Sequence, residues 1–253
     1  MTDKNQILEY INERTMISVQ DVCSCFDISE STARRIIKKL ADNDQIVRIH
    51  GGAYSKNRIQ QSNISRRFNC NKEAKEAIAK LAAGIILDNS TIIMLGGTTV
   101  CTFSKYIKHL NLTVITNSLL ILNELKHNKN IKIILLGGLY NNEELEAGGM
   151  LTNIGLRYLH ADYLLMSTSY FNEKFGFITE DIDTIELYLS CLEASNKCCV
   201  LADSSKYKLK GSTVTARPGN IQYLFSDSGL DKKVVRKFRE LGVQVFIADP
   251  LNN

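Results

Sequence analysis

Two groups of residues in this 253-residue chain have types and spacings that could do chemistry, and both suit negatively charged partners. The first group is basic. Residues 31–41 contain Arg34, Arg35, Lys38 and Lys39 and no acid. Residues 45–72 contain Arg48, Lys56, Arg58, Arg66, Arg67 and Lys72, again without an acid. The formal net charge is only +4, so the positive field is concentrated near the N-terminus, as a footprint for phosphate would be. If the segment is helical, a step of about 100° per residue puts Ala33, Ile36, Ile37 and Leu40 on one stripe. Ser31, Arg35 and Lys38 then fall at the centre of the opposite face, with Arg34 and Lys39 beside them. Such a helix buries one side and offers the other to a DNA major groove, where Arg and Lys reach guanine edges or phosphates. On this reading Ser31, Arg35 and Lys38 face bases, while Thr32, Arg34, Lys39, Arg48 and His50 contact the DNA backbone. The plain alternative is a three-helix bundle with a solvated basic face.

The second group surrounds glycines. Gly96-Gly97-Thr98-Thr99 follows an apolar run and would open a helix, where exposed backbone N–H groups attract anions and hydroxyls can donate. It is neither a Walker loop nor a dinucleotide fingerprint, and a simple strand-to-helix turn explains it about as well. Its company strengthens it. Thr116-Asn117-Ser118, Gly137-Gly138, Ser167-Thr168-Ser169 and Asp203-Ser204-Ser205-Lys206 each end another apolar run. Polar loops at the carboxyl ends of parallel strands are where open α/β sheets bind ligands. Gly96, Gly97, Thr98, Thr99, Asn117, Ser167 and Lys206 are therefore the expected ligand-binding residues.

The rest of the composition excludes more than it adds. The seven Cys are odd in number and scattered, which argues against a disulfide framework and fits free thiols in the cytoplasm. Neither they nor the four His have the spacing of a metal site, and no cofactor motif is present. No apolar run approaches the roughly 18 residues needed to span a bilayer, and the opening residues lead straight into a polar amphipathic helix.

The elements that must position these residues follow from periodicity. Ile7, Leu8 and Ile11 fit a first helix, and Ser18-Val19-Gln20-Asp21 has the form of a capping box opening a second. Ser29 would cap a third helix reaching about Asn43, followed by a hairpin turning at His50-Gly51-Gly52. Residues 57–72 are polar and read as a linker, able to become partly helical with a partner bound. Beyond them, apolar runs at 91–95, 113–116, 131–136, 163–167, 198–202, 222–225 and 243–247 alternate with helical stretches. That pattern implies a largely parallel sheet covered on both faces. The expected organisation is a winged helix-turn-helix in residues 1–56, the linker, and an α/β sensing domain in residues 73–253.

The run from Ile28-Ser29 through Thr32, Arg34-Arg35 and Leu40 to Arg48-Ile49-His50-Gly51-Gly52-Ala53 resembles the signature of the DeoR family of bacterial repressors. That signature joins a Thr-x-Arg-Arg recognition helix to an Arg-x-His-Gly-Gly-Ala wing. Lys75, in Lys75-Glu76-Ala77-Ile78-Ala79, and the order of the glycine loops resemble the family's C-terminal sensor, which shares its fold with ribose-5-phosphate isomerase and glucosamine-6-phosphate deaminase. The resemblance implies a double-stranded DNA operator, a phosphorylated sugar as effector, and a homodimer or homotetramer. The chain departs from the family at Ile36 (usually Asp), Asp44 (usually Gly), Leu95 (often Asp), Ser167 and Tyr170 (usually Gly) and Tyr188 (commonly Lys). Ser167-Thr168-Ser169 is closer to the lactose-phosphotransferase repressor branch. Two rivals stand beside this reading. One is an isomerase- or deaminase-like enzyme, which needs a base within reach of a carbon-bound proton, with Asp203 and Glu186 as its candidates. The other is a DNA-binding protein whose sensor no longer binds ligand. The expectation is a regulator and not an enzyme.

Overall fold

The structure is a computed structural model that describes residues 4–13, 17–43, 45–49, 51–55, 63–208 and 210–249. The chain divides into two compact units, Met1–Arg66 and Arg67–Asn253. Asp44, His50, Lys56 and Arg58 lie outside the described residues.

In the first unit, α1 (Lys4–Glu13), α2 (Val19–Phe26) and α3 (Glu30–Asp42) pack around Ile7, Ile11, Val22, Ala33, Ile37 and Leu40, all 0–1% exposed. The capping box at Ser18 is formed. Ser18 Oγ accepts from the Asp21 backbone N–H at 3.1 Å, and Asp21 Oδ2 accepts from the Ser18 N–H at 2.7 Å. Both orphan donors at the start of α2 are thereby satisfied. Ile36 is only half-buried at the edge of the core, so the Asp-to-Ile departure there costs little packing. After α3, β2 (Ile46–Ile49) and β3 (Gly52–Ser55) form an antiparallel hairpin. A two-residue strand, β1 (Ile17–Ser18), pairs with β3 on its other side and was not visible in the sequence. Gly51 takes φ +79° in the turn, and a Cβ on Gly52 would lie 2.1 Å from the Ile17 carbonyl oxygen. The Gly-Gly pair thus serves the turn and the close approach of β1.

The second unit opens with α4 (Asn63–Asn69), which begins in the first unit and lies within the stretch read as linker, and α5 (Lys72–Ala83). The seven expected apolar runs all appear as strands of one parallel sheet. They are β4 (Thr91–Met94), β5 (Leu112–Thr116), β6 (Ile131–Leu135), β9 (Ala161–Met166), β12 (Ser195–Leu201), β14 (Tyr223–Asp227) and β15 (Gln244–Ala248). Their order in space is β15-β14-β12-β9-β4-β5-β6. β4, β5 and β6 step outward in one direction, and β9 returns to the far side of β4. The order reverses between β4 and β9, which is the topological switch point where such sheets leave a crevice.

Alternate residues feed two cores. Ile93, Leu95, Leu164, Met166 and Val200 face one side, where they meet α9 (Ile185–Glu193) and α10 (Lys232–Glu240). Ile92, Met94, Leu165, Cys199 and Leu201 face the other, covered by α5, α6 (Thr98–Phe103) and α7 (Leu119–Leu125). Adjacent Cys198 and Cys199 therefore point into opposite cores, and burial pushes both thiols up. All seven cysteines are free. Smaller elements decorate this frame: a hairpin of β7 (Leu139–Asn141) and β8 (Glu146–Gly148), the helix α8 (Met150–Leu156), and a second sheet of β10 (Tyr170–Asn172), β11 (Gly176–Thr179) and β13 (Thr213–Ala216).

Candidate nucleic-acid interface and ligand site

The N-cap of α3 is a small hydroxyl cluster. Ser29 Oγ accepts from the Thr32 N–H at 3.3 Å and lies 3.0 Å from Ser31 Oγ and 2.9 Å from Thr32 Oγ1. One turn on, Arg34 Nε donates to Glu30 at 2.9 Å, an exposed pairing four residues apart. Arg35, Lys38 and Lys39 are exposed and have no hydrogen-bond or carboxylate partner among the described residues. Ala33, Ile37 and Leu40 are buried on the other side, so the helix separates apolar and basic faces as its periodicity implies. Arg48 is exposed on β2. His50, expected in the wing, lies outside the described residues. Among the expected nucleic-acid contacts, Arg34 is thus already engaged, by a glutamate that sequence reading had not paired with it.

At the switch point, the end of β4 meets the end of β9 and the β7–β8 hairpin. Gly97 adopts φ +124°, and a Cβ there would lie 2.1 Å from Ser167 Oγ. Ser167 Oγ in turn donates to the Gly96 carbonyl at 3.4 Å. A Cβ on Gly96 would fall 1.8 Å from Glu146 Oε2. Gly97 is required by its left-handed backbone, and at Gly96 the absent side chain leaves the space that the Glu146 carboxylate fills. Thr98 and Thr99 follow in the first turn of α6, 7% and 5% exposed. Asn117, at the end of β5, donates from Nδ2 to the Ala147 carbonyl at 2.7 Å, and its own carbonyl accepts from the Ala147 N–H at 2.9 Å. That pair of bonds fastens the hairpin to the sheet. Asn117 Oδ1 and the neighbouring Ser118 Oγ are buried without a partner, an arrangement that normally needs a bound water or ligand atom to account for it.

Glu146 is the residue that sequence reading missed, together with the groups around it. Burial, and then the charge of Glu144, push its carboxyl up to about 7, with Asp181 adding and Arg67 opposing. Arg67 pairs with Glu144, and the Arg67 carbonyl accepts from the Lys75 ammonium. Tyr188, where the family commonly has Lys, is raised well above the usual tyrosine range by burial and next by the Glu146 charge. No helical or strand periodicity marks residues 139–148, which explains why the carboxylates carried no signal. Leu95, where the family often has Asp, is 2% exposed in the core and offers nothing to a ligand. Tyr170 Oη donates to Glu180 at 3.3 Å, away from the glycines.

Lys206 sits elsewhere. It follows β12 beside Asp203 and Lys75, and burial, outweighing the Asp203 charge, lowers the Lys75 pKa. Asp203 accepts from Asn71 Nδ2 at 2.8 Å and from the Ser205 N–H at 3.2 Å. Asp227 accepts from the Ser204 N–H at 2.7 Å. A cleft of about 550 Å³ opens here, lined by Asn71, Lys72, Glu73, Asp203, Ser205 and Asp227. The structure thus brings Gly96, Gly97, Asn117 and Ser167 together around Glu146, with Lys206 in a neighbouring polar cluster joined through Arg67 and Lys75. Of the two candidate bases, Asp203 is held by local hydrogen bonds and Glu186 is exposed on α9. Among the described residues no group of three His, Cys, Asp or Glu side chains is placed to hold a metal ion, and no helix is long and apolar enough to cross a membrane.

Residues 4–58 match the family described as the DeoR-like helix-turn-helix domain, and residues 70–228 match the DeoR C terminal sensor domain. The chain is 32% identical over 248 residues to the HTH-type transcriptional regulator GolR of Listeria innocua, covering 97% of this chain and 98% of that protein. It is 32% identical over 226 residues to the L-fucose operon activator of Haemophilus influenzae, covering 88% and 90%. Among solved structures it is similar to ribose 5-phosphate isomerase A of Methanocaldococcus jannaschii, at 17% identity and a TM-score of 0.41, covering 55% and 56%.

Proposed function

The chain belongs to the DeoR family of DNA-binding transcriptional regulators, and from that premise we propose that it grips its operator through the exposed face of α3 and the β2–β3 wing while a phosphorylated sugar bound in the α/β unit sets that affinity. The observation that carries the reading is the exposed basic face of α3, on which Arg35, Lys38 and Lys39 have no partner among the described residues, lying opposite the buried Ala33, Ile37 and Leu40. Ser31, Arg35 and Lys38 read base edges, and Thr32, Arg34, Lys39, Arg48 and His50 hold phosphates. Glu30 must release or share Arg34 when a phosphate arrives. The protein acts in the cytoplasm as a homodimer or homotetramer and is not an enzyme, in keeping with the engaged Asp203 and exposed Glu186. The sugar enters at the switch point by Gly96, Gly97, Asn117 and Ser167, with Thr98 and Thr99 behind them and Lys206 reaching in from its own cluster. Glu146 supplies the hydroxyl-gripping carboxylate that Leu95 lacks. The named relative that regulates an L-fucose operon supports a carbohydrate-metabolism operon as the target.

The simplest sign is repression relieved by ligand, which requires the sugar phosphate to favour the conformation with lower operator affinity. Two measurements test the reading. Arg35→Ala should lower discrimination between operator and random DNA roughly 5- to 150-fold, the range of a lost bidentate base contact. Lys39→Ala should instead weaken all sequences alike and flatten the salt dependence by about one phosphate. Equal effects of the two would reject the assignment of the groove face. A thermal-shift series with ribose 5-phosphate, fructose 6-phosphate, glucosamine 6-phosphate and inorganic phosphate tests the sensor. A ligand at 100 times its Kd stabilises by about 2.7 kcal/mol, and silence from all four would leave DNA binding without ligand control.

A further inference from the structure

Where the end of β5 meets the β7–β8 hairpin, three side chains able to accept hydrogen bonds gather without a donor. The Glu146 carboxylate fills the space over Gly96 and has no hydrogen-bond or ion-pair partner among the described residues. Ser118 stands directly opposite Glu146 in an antiparallel bridge, so the two side chains share a face. Ser118 is 1% exposed, and its Oγ has no partner. Asn117 is equally buried, and its Nδ2 is committed to the Ala147 carbonyl. Its Oδ1 can therefore only accept, and it too has no partner. The charges nearby have one sense. Glu144 and Asp181 both disfavour the ionised form of Glu146, and Arg67, the cation that opposes them, is already paired with Glu144. Buried polar atoms need partners, and a carboxylate taken out of water needs a positive charge as well as a donor. A phosphate cannot fill this place, because its oxygens only accept and its charge is repelled. A hydroxyl brings one proton and no charge. An ammonium brings three protons, a positive charge and no acceptor of its own.

We infer that the ligand is a phosphorylated amino sugar, whose ammonium seats on Glu146 beside Ser118 and Asn117 while a neighbouring hydroxyl takes the second carboxylate oxygen. The inference rests on the sugar-phosphate reading above and names the ligand class of that same site. It also orients the ligand. The phosphate lies away from Glu146, on the side of Lys75 and Lys206, so that the two opposite charges of the sugar meet opposite ends of the site. Arg67 links those ends, since it is close enough to act on both Glu146 and Lys75. A carboxylate that holds an ammonium in this way discriminates by charge, so a neutral sugar phosphate of the same shape leaves it uncompensated.

Calorimetric titration of the full chain with three matched sets of ligands tests the inference. The amino members are glucosamine 6-phosphate, galactosamine 6-phosphate and mannosamine 6-phosphate. Each is compared with its parent sugar phosphate, which has a hydroxyl in place of the amine, and with its N-acetyl form, which keeps the nitrogen without the charge. At least one amino sugar should bind about tenfold or more tighter than both of its counterparts, the difference between a charge-assisted and a neutral hydrogen bond. Glu146→Gln, which keeps the shape and removes the charge, should bring that preference to within about twofold. Binding without preference in every set, or a preference that survives in Glu146→Gln, overturns the inference and leaves the sugar-phosphate reading standing on the neutral ligands that bind. Absence of binding by every compound overturns both. Should the variant fail to melt cooperatively, the matched sets on the wild type decide alone.

Discussion

The carboxyl of Glu146 sits where burial and the nearby Glu144 charge raise its pKa to about 7, from the ordinary value of 4.5. A raised carboxyl pKa means that the folded chain holds the proton more tightly than the unfolded one, so ionisation opposes folding. The penalty is absent below pH 4.5, develops between 4.5 and 7, and is complete above 7. Glu146→Gln removes it. The variant should therefore melt higher than the wild type at pH 8, by roughly 2–4 °C for each kcal/mol recovered, and equally at pH 4. A melting difference of the same size at both pH values would mean that Glu146 acts through packing rather than charge. The functional consequence has the same origin: a sugar hydroxyl donating to the ionised carboxylate offsets part of the cost of burying it. None of this was legible in the sequence, because a glutamate in a short polar hairpin has no periodicity to mark it. Gly96, Gly97, Asn117 and Ser167 were legible, because each ends an apolar run and the ends of parallel strands share one edge.

At the scale of elements, the wing depends on one missing side chain. Gly52 lets β1 pair with β3, since a Cβ would stand 2.1 Å from the Ile17 carbonyl oxygen. Backbone cannot retreat as a flexible side chain would, so Gly52→Ala must push β1 away from the hairpin. β1 runs directly into Ser18, the N-cap of α2, so the disturbance reaches the helix that supports α3. Operator affinity should fall at least about tenfold, the effect of 1.4 kcal/mol or more of strain. Stabilisation of the same variant by a sugar phosphate should be unchanged, and loss of both would show that the damage extends beyond the DNA-binding unit. The contrast with the large sheet explains what sequence could reveal. Its seven strands are buried on both faces and read as continuous apolar runs, and the caps at Ser18 and Ser29 are chemically explicit. β1 has two residues, β7 has all three residues exposed, and β10, β11 and β13 have only three or four residues each, too short for a periodic signal.

At the scale of the whole molecule, regulation is a coupling free energy between operator and effector, and it must be reciprocal. Take the sugar phosphate that gives the largest thermal shift. If it weakens operator binding by some factor, saturating operator must weaken its binding by that same factor. Couplings of this kind lie between about 5- and 150-fold. Calorimetric titration of the sugar phosphate with and without operator, and of the operator with and without the sugar phosphate, measures the coupling from both sides. A factor of one in the wild type would mean that the sugar phosphate and the operator are not coupled in this chain.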